Sequence, residues 1–110
     1  ALPKTQVGLR VTLVTVYRAW QWAAVSMKVS NLPNQPPWAP GSARLTGPAG
    51  TLVRVLAVLM EPPVLNPGDS GLLVVETEAI ADKAASGPFN LELVDKTGVR
   101  QFPIRGVKFP

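Results

Sequence analysis

The sequence predicts an all-β fold, an antiparallel sandwich of about seven strands with at most one short helical turn. Three observations carry that expectation. Apolar and polar residues alternate at period two through most of the chain, turn residues interrupt the alternation at fairly even intervals, and only Ala79 to Ser86, alanine-rich and polar, has the composition of a helical turn. A length of 110 residues suits one domain over residues 1–110 with a single packed core.

The first strand is expected over Val7 to Tyr17, where Val7, Leu9, Val11 and Leu13 share one face with Arg10 and Thr12 opposite. Val14 and Val16 then fall on the other face, so a bulge or bend is expected near Val14. Trp22 to Ser30 alternates again, with Ala23, Val25, Met27 and Val29 inward. The proline-rich stretch Leu32 to Gly41 forbids helix and central strand alike and reads as a crossing loop, with Trp38 packed beneath it to close one end of the sandwich. A short strand over Ala43 to Thr46 and the turn Gly47-Pro48-Ala49-Gly50 follow.

Leu52 to Met60 is apolar on both faces apart from Arg54, the pattern of a strand that is central or covered. Asn66-Pro67-Gly68-Asp69 makes a tight turn before a strand over Leu72 to Thr77. Phe89, Leu91 and Leu93 face inward from the next strand, Asp95-Lys96-Thr97-Gly98 supplies a hairpin, and Val99 to Val107 returns. Pro103 lacks an amide hydrogen, which sends that last strand to a sheet edge or a bulge. Strands of this number and spacing fit an immunoglobulin-like sandwich, with a small closed barrel as the alternative.

Composition removes much chemistry. Cysteine and histidine are both absent, which excludes disulfides, thiolate or imidazole metal sites, haem ligation and every triad with an imidazole base. No enzyme activity, cofactor or metal is expected. Eleven Lys and Arg against seven Asp and Glu give a net charge of +4, with six bases and no acid before residue 61 and all the acids from Glu61 onward. The bases are scattered singly, so nucleic acid is not an expected partner. The apolar runs Leu52 to Met60 and Leu72 to Val75 are far shorter than the roughly twenty residues of a membrane-spanning helix, and none is expected. The opening Ala-Leu-Pro, without a methionine or a basic, apolar leader, reads as a mature product after cleavage or as an excised piece.

Several short motifs imitate catalytic ones. Gly68-Asp69-Ser70-Gly71 matches the tetrapeptide around the nucleophile of trypsin-like proteases, but without a base for the serine proton it reads as a turn. Glu76 and Glu78 lie on one strand face and read as solvated carboxylates. Gly47-Pro48-Ala49-Gly50 lacks the Gly-Lys-Ser/Thr ending of a phosphate loop. Lys83 and Ser86 are a possible Ser/Lys pair, but they fall in the segment with the weakest structural pattern, whereas a catalytic dyad needs a buried lysine.

The candidate site is aromatic. Trp20 and Trp22 share parity with Ser26 and Lys28 on the polar side of their strand, which directs them outward. With Arg18 and Lys28 they form the expected contact surface. A charged fraction of only 16% leaves little polar residue to cover a lone domain, so the expected partner is another protein chain or copies of the same chain. A glycan or anionic polymer stacked on Trp20 and Trp22 beside the basic N-terminal half is the alternative.

A further set of residues carries a resemblance. Val29-Ser30-Asn31-Leu32, Pro36-Pro37-Trp38-Ala39-Pro40-Gly41, Val53-Arg54-Val55-Leu56, Asn66-Pro67-Gly68, Leu73-Val74-Val75-Glu76-Thr77-Glu78, Gly87-Pro88-Phe89-Asn90-Leu91-Glu92-Leu93 and Gly106-Val107-Lys108-Phe109-Pro110 together resemble the C-terminal part of a paralogous family of exported myxobacterial proteins, a domain of unknown function. The Pro-Pro-Trp-x-Pro-Gly and Val-Val-Glu-Thr-Glu pieces are its specific elements. The resemblance implies export, to the periplasm or the cell exterior, and brings no catalytic residues with it.

Overall fold

Nine strands form among the described residues of the computed structural model, which are residues 4–82 and 87–110 apart from the Leu13 side chain. They are β1 (Lys4–Gln6), β2 (Leu9–Arg18), β3 (Trp22–Asn31), β4 (Pro40–Thr46), β5 (Leu52–Val53), β6 (Val55–Glu61), β7 (Ser70–Glu78), β8 (Phe89–Asp95) and β9 (Gln101–Val107). All pairings are antiparallel, in a five-stranded sheet of order β1-β2-β3-β7-β6 and a four-stranded sheet of order β5-β4-β8-β9. The order β2-β3-β7-β6 against β4-β8-β9 reproduces that of constant-type immunoglobulin sandwiches.

The core lies between the two inner faces, and period-two alternation builds it. Ala23, Val25, Met27 and Val29 from β3 and Leu73 and Val75 from β7 meet Leu45, Leu91, Leu93, Phe102 and Ile104 from the opposite sheet. Trp38 is fully buried in the crossing loop, where its backbone exchanges two 2.8 Å hydrogen bonds with Leu65 and ties that loop to the one before β7. Phe109 closes the other end, its ring edge-on to Phe89 at 5.0 Å.

The bulge expected near Val14 is present as a register shift between Thr12 and Thr15. Asn66–Asp69 is a turn, with the Asp69 amide donating to Asn66 O at 2.9 Å and Gly68 at φ +86°. Gly98 adopts φ +76° in the β8–β9 hairpin, and Pro103 lies on an edge strand. The 3-10 turn Pro48–Gly50 occupies the expected Gly-Pro turn. Of the helical turn expected over Ala79 to Ser86, residues 83–86 lie outside the described residues, and so does the Lys83 and Ser86 pair.

Two expectations are corrected. Val7 does not join the inward row. It stands at φ +49° in a turn with Gly8 and is 40% exposed, because the chain reverses there and β1 becomes a separate strand. Nor is Leu52 to Met60 one central, covered strand. It divides at Arg54 into β5 and β6, which are edge strands of opposite sheets, and Leu52, Leu56 and Leu59 are all more than half exposed. A single residue carries the chain across the sandwich there, a step that apolar residues on both sides conceal.

Closure of the Trp38 end depends on a buried cation. Arg100, just before β9, donates from Nε to Val7 O at 3.0 Å, from Nη1 to Pro36 O at 2.9 Å, and from Nη2 to Gly8 O at 3.2 Å and Asn31 Oδ1 at 2.6 Å. Asn31, also buried, donates from Nδ2 to Pro36 O and Leu65 O. The Arg100 backbone amide donates to Asp95 Oδ1 at 3.1 Å, and Thr97 Oγ1 donates to Asp95 Oδ2 at 2.7 Å. Burial pushes the Asp95 carboxyl pKa up, but these donors and the backbone amides of Val99 and Gly98 outweigh it and hold the group below the usual carboxylate range.

Arg100→Met keeps the bulk of the side chain and leaves these acceptors without their donor, so urea unfolding should show a loss of about 3 kcal/mol. A loss under about 1 kcal/mol would place Arg100 outside the network that closes this end. The depressed Asp95 pKa sets the sign of an acid dependence. Its contribution is fully present above the carboxyl's unfolded pKa and is lost as pH falls through the lower folded value. Asp95→Asn should therefore flatten the acid limb of a stability–pH curve, whereas an unchanged limb would assign that limb to other carboxylates.

Candidate functional site

The outer faces of the two sheets differ in chemistry. On the four-stranded sheet the outward positions are Leu52 on β5, Ser42, Arg44 and Thr46 on β4, Asn90, Glu92 and Val94 on β8, and Gln101, Pro103 and Arg105 on β9, a largely polar face with one exposed leucine at its β5 edge. The outer face of the five-stranded sheet is built otherwise. Register places Tyr17, Ala24, Glu76 and Ala57 in one row across β2, β3, β7 and β6, then Thr15, Ser26, Val74 and Leu59, then Thr12, Lys28, Leu72 and Glu61. Trp22 opposite Glu78 ends the face at one side, and Arg10, Ser30 and Ser70 end it at the other.

Tyr17, Trp22, Leu56, Leu59 and Leu72 are each about half exposed, and all belong to β2, β3, β6 and β7. The β-strand physics that buries Val25 and Met27 turns Trp22 and Lys28 outward, since alternate side chains point to opposite faces. The acids Glu76 and Glu78 lie at the Trp22 end, while Arg10 and Lys28 lie toward the other. Glu61 stands in the Lys28 row and Arg54 beside Glu78, so charges of both signs border the apolar residues at each end.

The four residues singled out in the sequence do not gather at one point. Trp22 and Lys28 share the outer face but stand six residues apart on β3, about 20 Å at the usual strand rise. Trp20, 91% exposed, stands on the β2–β3 turn, which an Ala19 amide to Trp22 O bond of 2.8 Å closes. It borders an open hollow of about 560 Å³ lined also by Arg18, Ile80, Asp82 and Pro110. Arg18 is held by its own chain, donating to Ile80 O from Nε at 3.2 Å and Nη2 at 2.9 Å and to Pro110 O from Nη1, and pairing with Asp82. Its guanidinium fastens the segment after β7 to the end of the sandwich and forms one wall of the hollow.

Sequence reasoning missed the β6 and β7 part of this face. Leu59 belongs to the run read as a covered strand and Leu72 only to the start of the next one, and no local signal separates an apolar strand with a bare face from one buried on both sides. Ser70 begins β7 and its hydroxyl lies 2.7 Å from that of Ser30 on the outer face, while Asp69 Oδ2 accepts the Asn66 amide at 3.1 Å, so the protease-like tetrapeptide is a turn and a strand start. Glu78 Oε1 accepts the Arg54 amide at 3.0 Å across the start of β6. Among the described residues no group of three or more acidic side chains is arranged to hold a metal ion.

A family model described as a protein of unknown function, DUF2381, matches residues 1–107. The chain belongs to the DUF2381 family. The DUF2381 match runs to the last residue of β9 and so takes in both sheets and the whole of the apolar outer face. No curated protein matches the chain.

Proposed function

We propose that this DUF2381 domain is a non-enzymatic, exported sandwich module of immunoglobulin-like type that works by protein–protein contact, as an adaptor or as a subunit of an assembly. The observation that carries the reading is the contrast between its two outer faces: one is polar apart from Leu52 at its β5 edge, and the other presents Tyr17, Trp22, Leu56, Leu59 and Leu72 to solvent. Several large apolar side chains on one sheet face form the kind of patch that marks contact sites. Aromatic residues at its margin are the side chains that most often dominate binding energy. The resemblance to exported myxobacterial proteins supports export, and the absence of histidine and cysteine supports a role without catalysis.

A second reading has one specific observation in its favour. Trp20 stands almost fully exposed beside the hollow lined by Arg18 and Asp82, an arrangement that suits a sugar ring stacked on the indole. Titration of soluble oligosaccharides against tryptophan fluorescence distinguishes it, since only this reading requires a saturable change that Trp20→Ala abolishes.

For the protein-contact reading, a photo-cross-linking residue at position 59 in the native host should trap a defined protein chain, and the same residue at Asn90 on the polar face should not. Binding of that chain should weaken by about 2 kcal/mol or more in the Trp20→Ala, Trp22→Ala double variant. The unfolding midpoint should move little, because both indoles are exposed. Equal trapping from both faces, or a large stability loss with unchanged binding, would overturn the assignment.

A further inference from the structure

A sheet edge offers unpaired amides and carbonyls to any strand that reaches it, and folded proteins block their edges in recognisable ways. Three of the four edges formed by the described residues carry such blocks. β1 and β5 are only three and two residues long. β9 holds Pro103, a register shift closed by Gly106 at φ +73°, and the Lys4 ammonium, which donates to Pro103 O at 2.7 Å. The fourth edge, β6, has none of these within its length. It runs seven residues, Val-Leu-Ala-Val-Leu-Met-Glu, with six uncharged apolar residues in succession and no lysine or proline among them. Its register shift lies at one end, between Val55 and Ala57.

The charges flanking this strand decide what fits it. Arg54 immediately precedes β6 and Glu61 is its last residue, both are exposed, and no other charge lies between them. An antiparallel copy of the same strand reverses that order. Centred on Val58, such a pair sets Ala57 across from Leu59 on the outer side. The register shift between Val55 and Ala57 takes up one residue at each end, so Arg54 of one copy comes across from Glu61 of the other on that same side. A strand added in parallel brings like charges together instead. Charge and apolar pattern are thus self-complementary in the isologous arrangement that a two-fold dimer requires.

We propose that β6 is the pairing edge for a second copy of this chain, joined antiparallel β6 to β6 so that two five-stranded sheets become one ten-stranded sheet. The arrangement supplies the cover that the pattern of Leu52 to Met60 implies. It also extends the apolar outer face across the two-fold axis through Leu56 and Leu59. The inference does not depend on a partner seated on the Trp22 face.

Sedimentation equilibrium on the full chain tests it. The wild type should be a reversible dimer with dissociation in the micromolar range, and Glu61→Arg alone, or Arg54→Glu alone, should weaken dimerisation at least about tenfold by setting like charges together at both ends. An equimolar mixture of the two variants should recover dimers, and native mass spectrometry should show them to be heterodimers. Should either swap fail to fold, Leu59→Lys, which places an exposed lysine at mid-strand, should abolish association. A wild-type chain that remains monomeric to roughly 0.5 mM would overturn the proposal, and so would a dimer indifferent to Glu61→Arg. The Trp20→Ala, Trp22→Ala variant separates this proposal from the contact-face reading: it should dimerise like the wild type, and loss of the dimer there would move self-association to the face.

Discussion

The Arg100 guanidinium determines how the two sheets meet at the Trp38 end. It belongs to the β8–β9 hairpin of one sheet, yet its acceptors are the Val7 and Gly8 carbonyls of the β1–β2 turn, the Pro36 carbonyl of the crossing loop and the side chain of Asn31 at the end of β3. A buried cation is costly unless every donor finds a partner, so one side chain enforces the position of three loops at once. Asn31 extends the network to Leu65, and its backbone pairs with Gly68 and Asp69 ahead of β7. With that end fixed by polar bonds, alternation along the strands suffices to fill the space between the sheets with apolar side chains.

The same closure leaves the molecule asymmetric. Hydrogen bonds and strapping side chains accumulate at the β1, β9 and crossing-loop side, where Lys4 reaches Pro103 and lies 5.4 Å from the centre of the Phe102 ring. The opposite side has few such devices. There β6 stands unpaired along its outer side among the described residues, and beside it the face of the five-stranded sheet carries leucines where its counterpart carries serine, threonine, asparagine and arginine. A contact role for that side and a pairing role for that edge follow from one distribution of residues: polar ties where the chain closes on itself, apolar surface where it does not.

Legibility in the sequence followed the physics of each element. β3 was readable because one face is buried and the other is not, so period two survives intact and even the outward direction of Trp22 follows from it. The bulge in β2 was readable as a change of phase, and the turns by their Gly, Pro, Asn and Asp. The β1–β2 turn was hidden because Val7 keeps the alternation while adopting a left-handed backbone unusual for a β-branched residue. The break at Arg54 was hidden because apolar residues flank it on both sides, and the same run made an exposed edge look like a covered centre. Arg100 and Asn31 left no local trace at all, since their partners lie as many as 93 residues away along the chain. Of the candidate site, the tryptophan end was legible by parity; its continuation over β6 and β7 required the strand order, which no local pattern encodes.

Amide hydrogen exchange of the wild-type chain, followed by mass spectrometry across a range of protein concentrations, tests most directly whether the unblocked side is where this domain meets other chains. Exchange along β6 should slow as concentration rises while β1, β5 and β9 remain unchanged. Exchange along β6 that is independent of concentration, or protection that appears at β9 instead, would contradict it.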